Sequence, residues 1–566
     1  MKTRVIKLHE ADNVAVALDE LAAASEIVLD NRSYTLTDQI PAKQKFALDA
    51  FAAGDEVIMY GVLVGRATYA ILKGGLLTTR NITHASRDFS TGQAYTAWDI
   101  PDTSPFEKMT FMGHHRADGS VGTASYWLVV PLVFCENRNL EILEEALVTQ
   151  LGYGRQNKYA AQVSELLAGY SRSAAGGSGR SGAEGRSGAE GAPPTDGVTP
   201  QSGSAPGRDS RIFKNIDGLK FLKHTGGCGG TRDDARALCA LLAGYITHAN
   251  TAGVTVLSLG CQHAQVTMLE EEIRKREPGY NRPYYVLEQQ KIGLGDDLLA
   301  EAINRTIAGL VLANENQRQP APLSKLCIGL ECGGSDGFSG ISANPAIGYT
   351  SDLLVALGGS VILSEFPELC GVEQNLSDRC IDRAQAERFG LLMKTYNERA
   401  RAVGSGFDMN PSPGNIRDGL ITDAIKSAGA AKKGGTSPVT AVLDYTEKLY
   451  QPGLNLLCTP GNDVESTTAE VASGANLVLF TTGLGTPTGN PIVPVVKIST
   501  NTALSDKMSD IIDLDTGTII TGSETIAEAG NRILHYLIRV ASGEVEVAAV
   551  RNGQNDFIPW KRGISL

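Results

Sequence analysis

Glu331-Cys332-Gly333-Gly334-Ser335-Asp336-Gly337-Phe338-Ser339-Gly340-Ile341-Ser342-Ala343-Asn344-Pro345 places two carboxylates, a thiol and three hydroxyls in one glycine-rich stretch. Glycine lets backbone approach a ligand closely and supplies positive-φ turns. Polar groups this dense are costly in a core without partners. The apolar run Leu326 to Leu330 just before it reads as a buried strand. A strand that opens into a polar, glycine-rich loop is where α/β enzymes place ligands.

Two more cysteines sit in loops of the same kind. Cys228 lies in His224-Thr225-Gly226-Gly227-Cys228-Gly229-Gly230, and Cys261 follows the apolar run Val254 to Gly260. Loops at the C-terminal ends of parallel strands share one edge. Cys228, Cys261 and Cys332 could therefore hold a thiophilic metal with one position open. A catalytic thiol or an inert small core residue is the alternative at each, and the core reading is the better one for Cys239, Cys327, Cys370 and Cys380. His224, four residues before Cys228, is a candidate general base because imidazole titrates near neutrality; a structural histidine is the alternative. Glu365 and Glu368 follow the apolar run Val361–Leu363 and read as paired acids or as a solvated helix start. The turns Asn410–Asn415, Pro460–Asp463 and Thr481–Pro487 are rich in hydrogen-bonding groups and could hold a polyhydroxylated ligand, though each is also a common turn type. The sequence has no Walker A motif, no dinucleotide fingerprint between strand and helix, no HExxH and no serine nucleophile elbow.

The elements that must position these groups divide the chain. Residues 1–95 read as a small β-rich domain with strands at Ile27–Leu29, Ser33–Leu36, Glu56–Tyr60 and Gly61–Ala67, and one helix at Val14–Ala24. Residues 96–112 read as a connector. From 113 to 566 strands and helices alternate: strands at Tyr126–Phe134, Val254–Gly260, Ser360–Leu363 and Leu477–Phe480, helices at Leu140–Leu151, Leu353–Leu357 and Ile526–Ala541. This is the pattern of an α/β region with mainly parallel sheets. Residues 171–208 interrupt it with Gly, Ser, Ala, Arg, Pro and Thr and a short repeat, Arg180–Gly185 then Arg186–Gly191. That composition cannot offset its chain entropy and predicts a disordered insert.

A net charge of −12 over 566 residues argues against a nucleic-acid partner and leaves an anionic substrate to a local cationic pocket. No apolar run approaches the ~20 residues that span a bilayer, and the basic start lacks a signal-peptide core. Nine scattered cysteines do not make a disulfide framework. A cytoplasmic protein acting on a small molecule is the expectation, with a homo-oligomeric state left open.

Taken in order, these loops resemble the altronate/galactarate dehydratase family over nearly all of the chain outside the insert. The specific pieces are ECGGSDGFSGISANPAIGYTSD, NPSPGN, PGLNLL, PGND and TTGLGTP. Lys7-Leu8-His9 with Asp12–Leu18 is similar to that family's N-terminal SAF domain, and Arg116–Gly122 to the opening of its catalytic region. PGLNLL and PGND are similar to the altronate branch. The resemblance implies a SAF-like β-clip domain joined to an α/β dehydratase region, a hydro-lyase acting on a sugar acid in sugar-acid catabolism, and a need for iron or a related divalent metal. Carried over residue by residue, it implies His224 as base, Glu365 and Glu368 as catalytic acids, and Cys228, Cys261 and Cys332 as ligands of one Fe2+ or an iron–sulfur cluster. It implies Arg116, Asp336, Asn415, Asp463 and Lys497 as substrate contacts, and His9 and Lys45 reaching the site if the small domain folds over as a lid. Several positions depart from the family pattern: Gln44 stands for a histidine, Gly226 for a tyrosine, Ala124-Ser125 for a basic residue and asparagine, and Leu484 and Thr488 for an arginine and a tyrosine. Loss of that arginine removes a bidentate carboxylate clamp.

In such a β-elimination the C2 proton is removed and the C3 hydroxyl leaves as water. General acid–base help supplies ~10²–10⁴-fold, roughly 3–5 kcal/mol of the ~8–23 kcal/mol that enzymes commonly provide; metal assistance is the expected source of several more. Two rivals remain: a sulfolactate sulfo-lyase, whose two parts are commonly separate chains where this chain is fused, and a non-catalytic sugar-acid binding protein, suggested by the altered loops.

Overall fold

The computed structural model describes residues 4–87, 89–90, 98–155, 159–175 and 210–565. Residues 171–175 of the expected insert continue the helix Ala160–Ala175; the rest of it lies outside the described residues.

The N-terminal domain is built from short antiparallel strands, with Val5–Ile6, Val14–Ala17 and Lys45–Ala47 in one sheet and Glu56–Met59, Val62–Ala67 and Ile82–Thr83 in another. The expected helix at Val14–Ala24 is a strand and a bend instead. Val14 and Val16 face one core with Val57 and Met59, while Ala15 and Ala17 face a second with Phe46 and Ile40. A strand buried on both sides is apolar at every position, so period 2 is invisible in it. The first of these cores continues into Phe338, Ile341, Leu420 and Ile425, which dock the domain onto the rest of the chain.

The α/β region holds two separate parallel sheets. The smaller has strand order Gly218–Phe221, Tyr126–Pro131, Thr251–Ser258, Tyr284–Glu288. The larger runs Val439–Leu443, Gly453–Leu457, Ser360–Leu363, Cys327–Cys332, Leu477–Thr482, Val495–Ser499, Leu514–Asp515, parallel throughout. Its strands are apolar because helices cover them. Asp463–Ser473 also packs on Arg232–Ile246, and a Cβ on Gly244 would stand 2.4 Å from the Ala472 carbonyl oxygen. Ile526–Ala541 is a helix with the bounds the sequence predicts, set by its apolar stripe and the Thr525/Glu528 capping box. The described residues between 144 and 214 form a compact unit of their own.

Candidate active site

Strand Cys327–Cys332 ends in Glu331 and Cys332, both buried. Its neighbour Ser360–Leu363 runs on into Glu365 and Glu368, and strand Gly453–Leu457 leads to Asp463, the first residue of its helix. Parallel pairing puts all five groups at the C-terminal edge of the seven-stranded sheet. The Cys332 Sγ is 3.3 Å from Glu368 Oε2 and 3.6 Å from Glu365 Oε2. Two lysines enter from the helix Asp423–Ala430 and the turn after it: Lys426 Nζ lies 2.6 Å from Glu368 Oε1, and Lys433 Nζ 3.1 Å from Glu365 Oε2.

Burial and mutual repulsion set the electrostatics. Burial, with Glu365 and Glu470 nearby, raises the Glu331 carboxyl well above the ordinary range. Burial and Glu368 raise Glu365 as well, against the pull of Lys433. Lys426 and Lys433 hold Glu368 low in spite of its burial. Burial pushes Asp463 up to about 7, helped by Glu365 and Glu368, and Glu470, behind the cluster, up to about 8. The Glu331 oxygens have no protein donor, but its carboxyl faces Glu365, so a proton on Glu331 supplies the missing bond.

The loops singled out in the sequence meet over this cluster. The Gly333 amide donates to Thr481 O, and the Gly483 and Leu484 amides to Gly334 O. Asn415 Nδ2 donates to Ser335 O at 2.8 Å. A Cβ on Gly461 would touch Glu368 and Asn410. Gly333 lets Asp463 approach, since a Cβ there would stand 1.9 Å from Asp463 Oδ2. Leu484 is exposed beside Gly334 and Gly414 at the rim.

Several expected site residues lie elsewhere. His224 and Cys228 follow a strand of the smaller sheet, and so does Cys261. Their loops touch through the His263 amide and Gly227 O. Cys261 accepts from Gln290 Nε2 at 3.2 Å, and Cys228 lines a cavity of about 320 Å³ with Tyr445 and Trp560. Neither joins Cys332 in a metal-capable group among the described residues. His224 does not offer a free base: Nε2 donates to Pro131 O at 2.8 Å and Nδ1 accepts the Gly226 amide at 3.1 Å, and burial pushes it down to about 4. Arg116 binds Ala249 O and Ser125 Oγ, at the starts of the strands of the smaller sheet rather than at an edge with the acids. His9 is exposed and bonds within its own domain, to the Ala11 amide.

Others frame the site. Asp336 is saturated by the Phe338 amide, Ser339, Thr500 and Lys43, the last an ion pair of 2.9 Å from the N-terminal domain. Lys45 is buried, donates to Gly419 O at 2.6 Å, and is pushed down to about 7 by burial. Asn415 locks its own turn through a capping box with Ser412. Lys497 rests on the Phe480 ring, donates to Thr488 O, and is pushed down to about 8 by burial with Asp463 within electrostatic reach. Sequence reasoning missed Lys426, Lys433 and Glu470; Lys433 stood in view only as a charge inside a small-residue run, Ala428 to Gly435.

The family models matched are "Altronate/galactarate dehydratase SAF domain" over residues 3–85, "D-galactarate dehydratase/Altronate hydrolase, second domain" over 113–314, and "D-galactarate/Altronate dehydratase, C-terminal" over 323–565. The chain is 32% identical over 562 residues to the altronate dehydratase of Escherichia coli (strain K12), covering 99% of both chains. The chain belongs to the altronate/galactarate dehydratase family. Other relatives include the altronate dehydratase of Bacillus subtilis (strain 168), 31% identical with 99% of both chains covered, and the galactarate dehydratase (L-threo-forming) of Escherichia coli (strain K12), 29% identical over 95% of this chain and 93% of the relative. As a family member the protein is a hydro-lyase of the sugar-acid dehydratase class, and its β-rich N-terminal domain is the SAF domain. Among the described residues no helix is long and apolar enough to cross a membrane.

The acid cluster has the chemistry to hold a divalent cation. Cys332, Glu365 and Glu368 bring one sulfur and two carboxylate atoms within 4.8 Å of one another, and so do the carboxylates of Glu331, Glu365 and Asp463. Both Glu331 oxygens and Glu365 Oε1 are buried without a hydrogen-bond partner. Acceptors of this kind are costly unless protonated or met by a cation, and a mixed sulfur and oxygen set suits a borderline metal.

Proposed function

We propose that this family member dehydrates an altronate-like aldonate to a 2-keto-3-deoxy sugar acid, with Glu331, Cys332, Glu365, Glu368 and Asp463 as its catalytic centre. The observation that carries this reading is the convergence of the glycine-rich loops on buried acids and two ammonium groups at one sheet edge. Asp463, at about 7, is matched to accept the C2 proton near neutral pH. Glu331, kept protonated by burial and facing Glu365, donates to the C3 hydroxyl as its C–O bond breaks and water leaves. The resulting enol tautomerises to the ketone. Lys497 and Lys426 are placed to attract the substrate carboxylate. Cys332, Glu365 and Glu368 would hold a divalent cation, proposed to be ferrous iron, which when bound supplies Lewis-acid stabilisation of negative charge on substrate oxygens. Leu484 gives the rim an apolar side chain where a distal carboxylate would need a cation, which favours an aldonate over an aldarate.

The test is purified protein supplied with ferrous iron and a reductant, incubated with a panel of hexonates and hexarates and followed by NMR. A 2-keto-3-deoxy acid from at least one hexonate is the expected product; none from any member of the panel would reject the reading.

A further inference from the structure

We propose that His84, Cys370 and Asp423 form a second metal site, for a zinc-class divalent ion, where the end of the N-terminal domain meets the α/β region. The three come from separate elements. His84 follows the strand Ile82–Thr83, Cys370 follows the turn Phe366–Leu369, and Asp423 opens the helix Asp423–Ala430. One nitrogen, the sulfur and one carboxylate oxygen lie within 4.8 Å of one another. Tetrahedral zinc with bonds of about 2.0–2.3 Å needs ligand atoms roughly 3.3–3.8 Å apart, so modest rotamer adjustment closes the set.

Asp423 is the observation that points to a ligand. It is 1% exposed and neither oxygen has a hydrogen-bond partner at ordinary geometry; the group facing it is the Cys370 thiol, a weak donor. Its helix is already capped by Thr422, which accepts the Ile425 amide, so capping does not explain the carboxylate. A buried carboxylate met only by a thiol is costly unless it is protonated or met by a cation, and the sulfur and imidazole nitrogen beside it are the further ligands that a cation takes. Imidazole, thiolate and carboxylate together are a donor set for zinc and its neighbours rather than for magnesium or calcium. His84 and Cys370 are half-buried and border a cleft of about 980 Å³ lined also by Arg87, Phe89 and Phe407, which gives an ion access and leaves a fourth position for water. The set shares no residue with either metal-capable group of the catalytic centre. Cys370 lies two residues past Glu368 and Asp423 three before Lys426, so an ion here would pin the SAF domain to both elements that carry that ion pair.

The experiment titrates the chelator-treated full-length protein with Co2+ and reads the sulfur-to-cobalt charge-transfer band and the visible bands of tetrahedral cobalt. Two cobalt equivalents with sulfur bands are expected, one at Cys370 and one at the catalytic Cys332, both displaced by Zn2+. Cys370→Ser should remove the first equivalent and its band, His84→Ala should weaken binding of that equivalent at least tenfold, and Cys332→Ser should leave it in place. Zn2+ should also raise the thermal unfolding midpoint of the wild type further than that of His84→Ala, a readout that holds if Cys370→Ser folds poorly. The proposal is overturned if every sulfur band of the wild type survives Cys370→Ser and disappears in Cys332→Ser, which would place the ion at the catalytic acids alone, or if no sulfur band forms at all.

Discussion

Lys433 Nζ lies 3.1 Å from Glu365 Oε2, and both side chains are sealed from solvent. Glu365 takes this position in a left-handed backbone conformation, φ 62°, held by its amide donating to Thr459 Oγ1 at 2.8 Å. A non-glycine residue there costs about 1–3 kcal/mol, and such strain persists where the surrounding structure fixes it, commonly at functional sites. Thr459 and Lys433 are the fixing groups.

Removing one member of a buried pair leaves an uncompensated charge, at a cost of about 3–5 kcal/mol. Lys433→Met should lower the free energy of unfolding by about that amount and abolish turnover. Urea denaturation checks it; an unchanged midpoint would show that Lys433 does not sustain the Glu365 carboxylate.

A base at about 7 must be ionised to work, so kcat/KM should rise with pH through about 7, and it should fall again above about 8 as Lys497 loses the charge that attracts the carboxylate. Asp463→Asn should lower kcat by ~10²–10⁴-fold and remove the rise. A pH–rate profile of the variant that keeps the same limb would assign the base elsewhere.

Cys332 sits among the acids, whereas Cys228 and Cys261 belong to the other sheet. Metal analysis after loading with ferrous iron should find the catalytic equivalent missing in Cys332→Ser and kept in Cys228→Ser and Cys261→Ser. Loss in all three would mean that the thiols gather round one ion.

Gly333→Ala should cost at least tenfold in kcat/KM and lower the melting temperature, because its Cβ would stand 1.9 Å from Asp463 Oδ2 and 2.7 Å from Phe480 Cζ. Gly279→Ala, which meets nothing within 4 Å, is the control. Equal behaviour of the two would show that Asp463 has room to move.

His224 and His248 are each pushed down to about 4, chiefly by burial. The unfolded chain protonates them near ~6.5 while the folded chain resists. Their contribution to stability is therefore fully present above ~6.5 and is lost as pH falls toward about 4. At about 1.36 kcal/mol per pKa unit this amounts to roughly 3 kcal/mol per residue at most. Unfolding free energies measured between those limits should fall with pH, and His248→Asn should flatten the slope; a flat wild-type profile would contradict it.

The loops over the site are legible in the sequence because glycine beside Asp, Asn and Thr has few structural uses besides turns and close approach. The sheet to which each loop belongs is not. Cys261 follows one apolar strand and Cys332 ends another, and nothing local says that those strands lie in different sheets. Lys433 stays hidden because its partners are ~70 residues away or more in sequence and its own neighbours are small. His224 looks like a base until the backbone carbonyl of Pro131 is seen to occupy it. Arg116 has the chemistry of a carboxylate clamp, but its strand connection carries it to the starting ends of the strands. The amphipathic helix Ile526–Ala541 is read to the residue, while the doubly buried strand Val14–Ala17 is mistaken for a helix, because one carries its period on the surface and the other does not.

The most direct measurement of the central claim is turnover by Glu365→Gln beside the wild type, both shown folded by circular dichroism and loaded with ferrous iron, on the hexonate that the wild type dehydrates. The account predicts a fall in kcat of at least 100-fold, with the 2-keto-3-deoxy product formed only slowly. Wild-type turnover by the variant would contradict it, because the acids at that sheet edge would then be structural and the chemistry would lie elsewhere in the molecule.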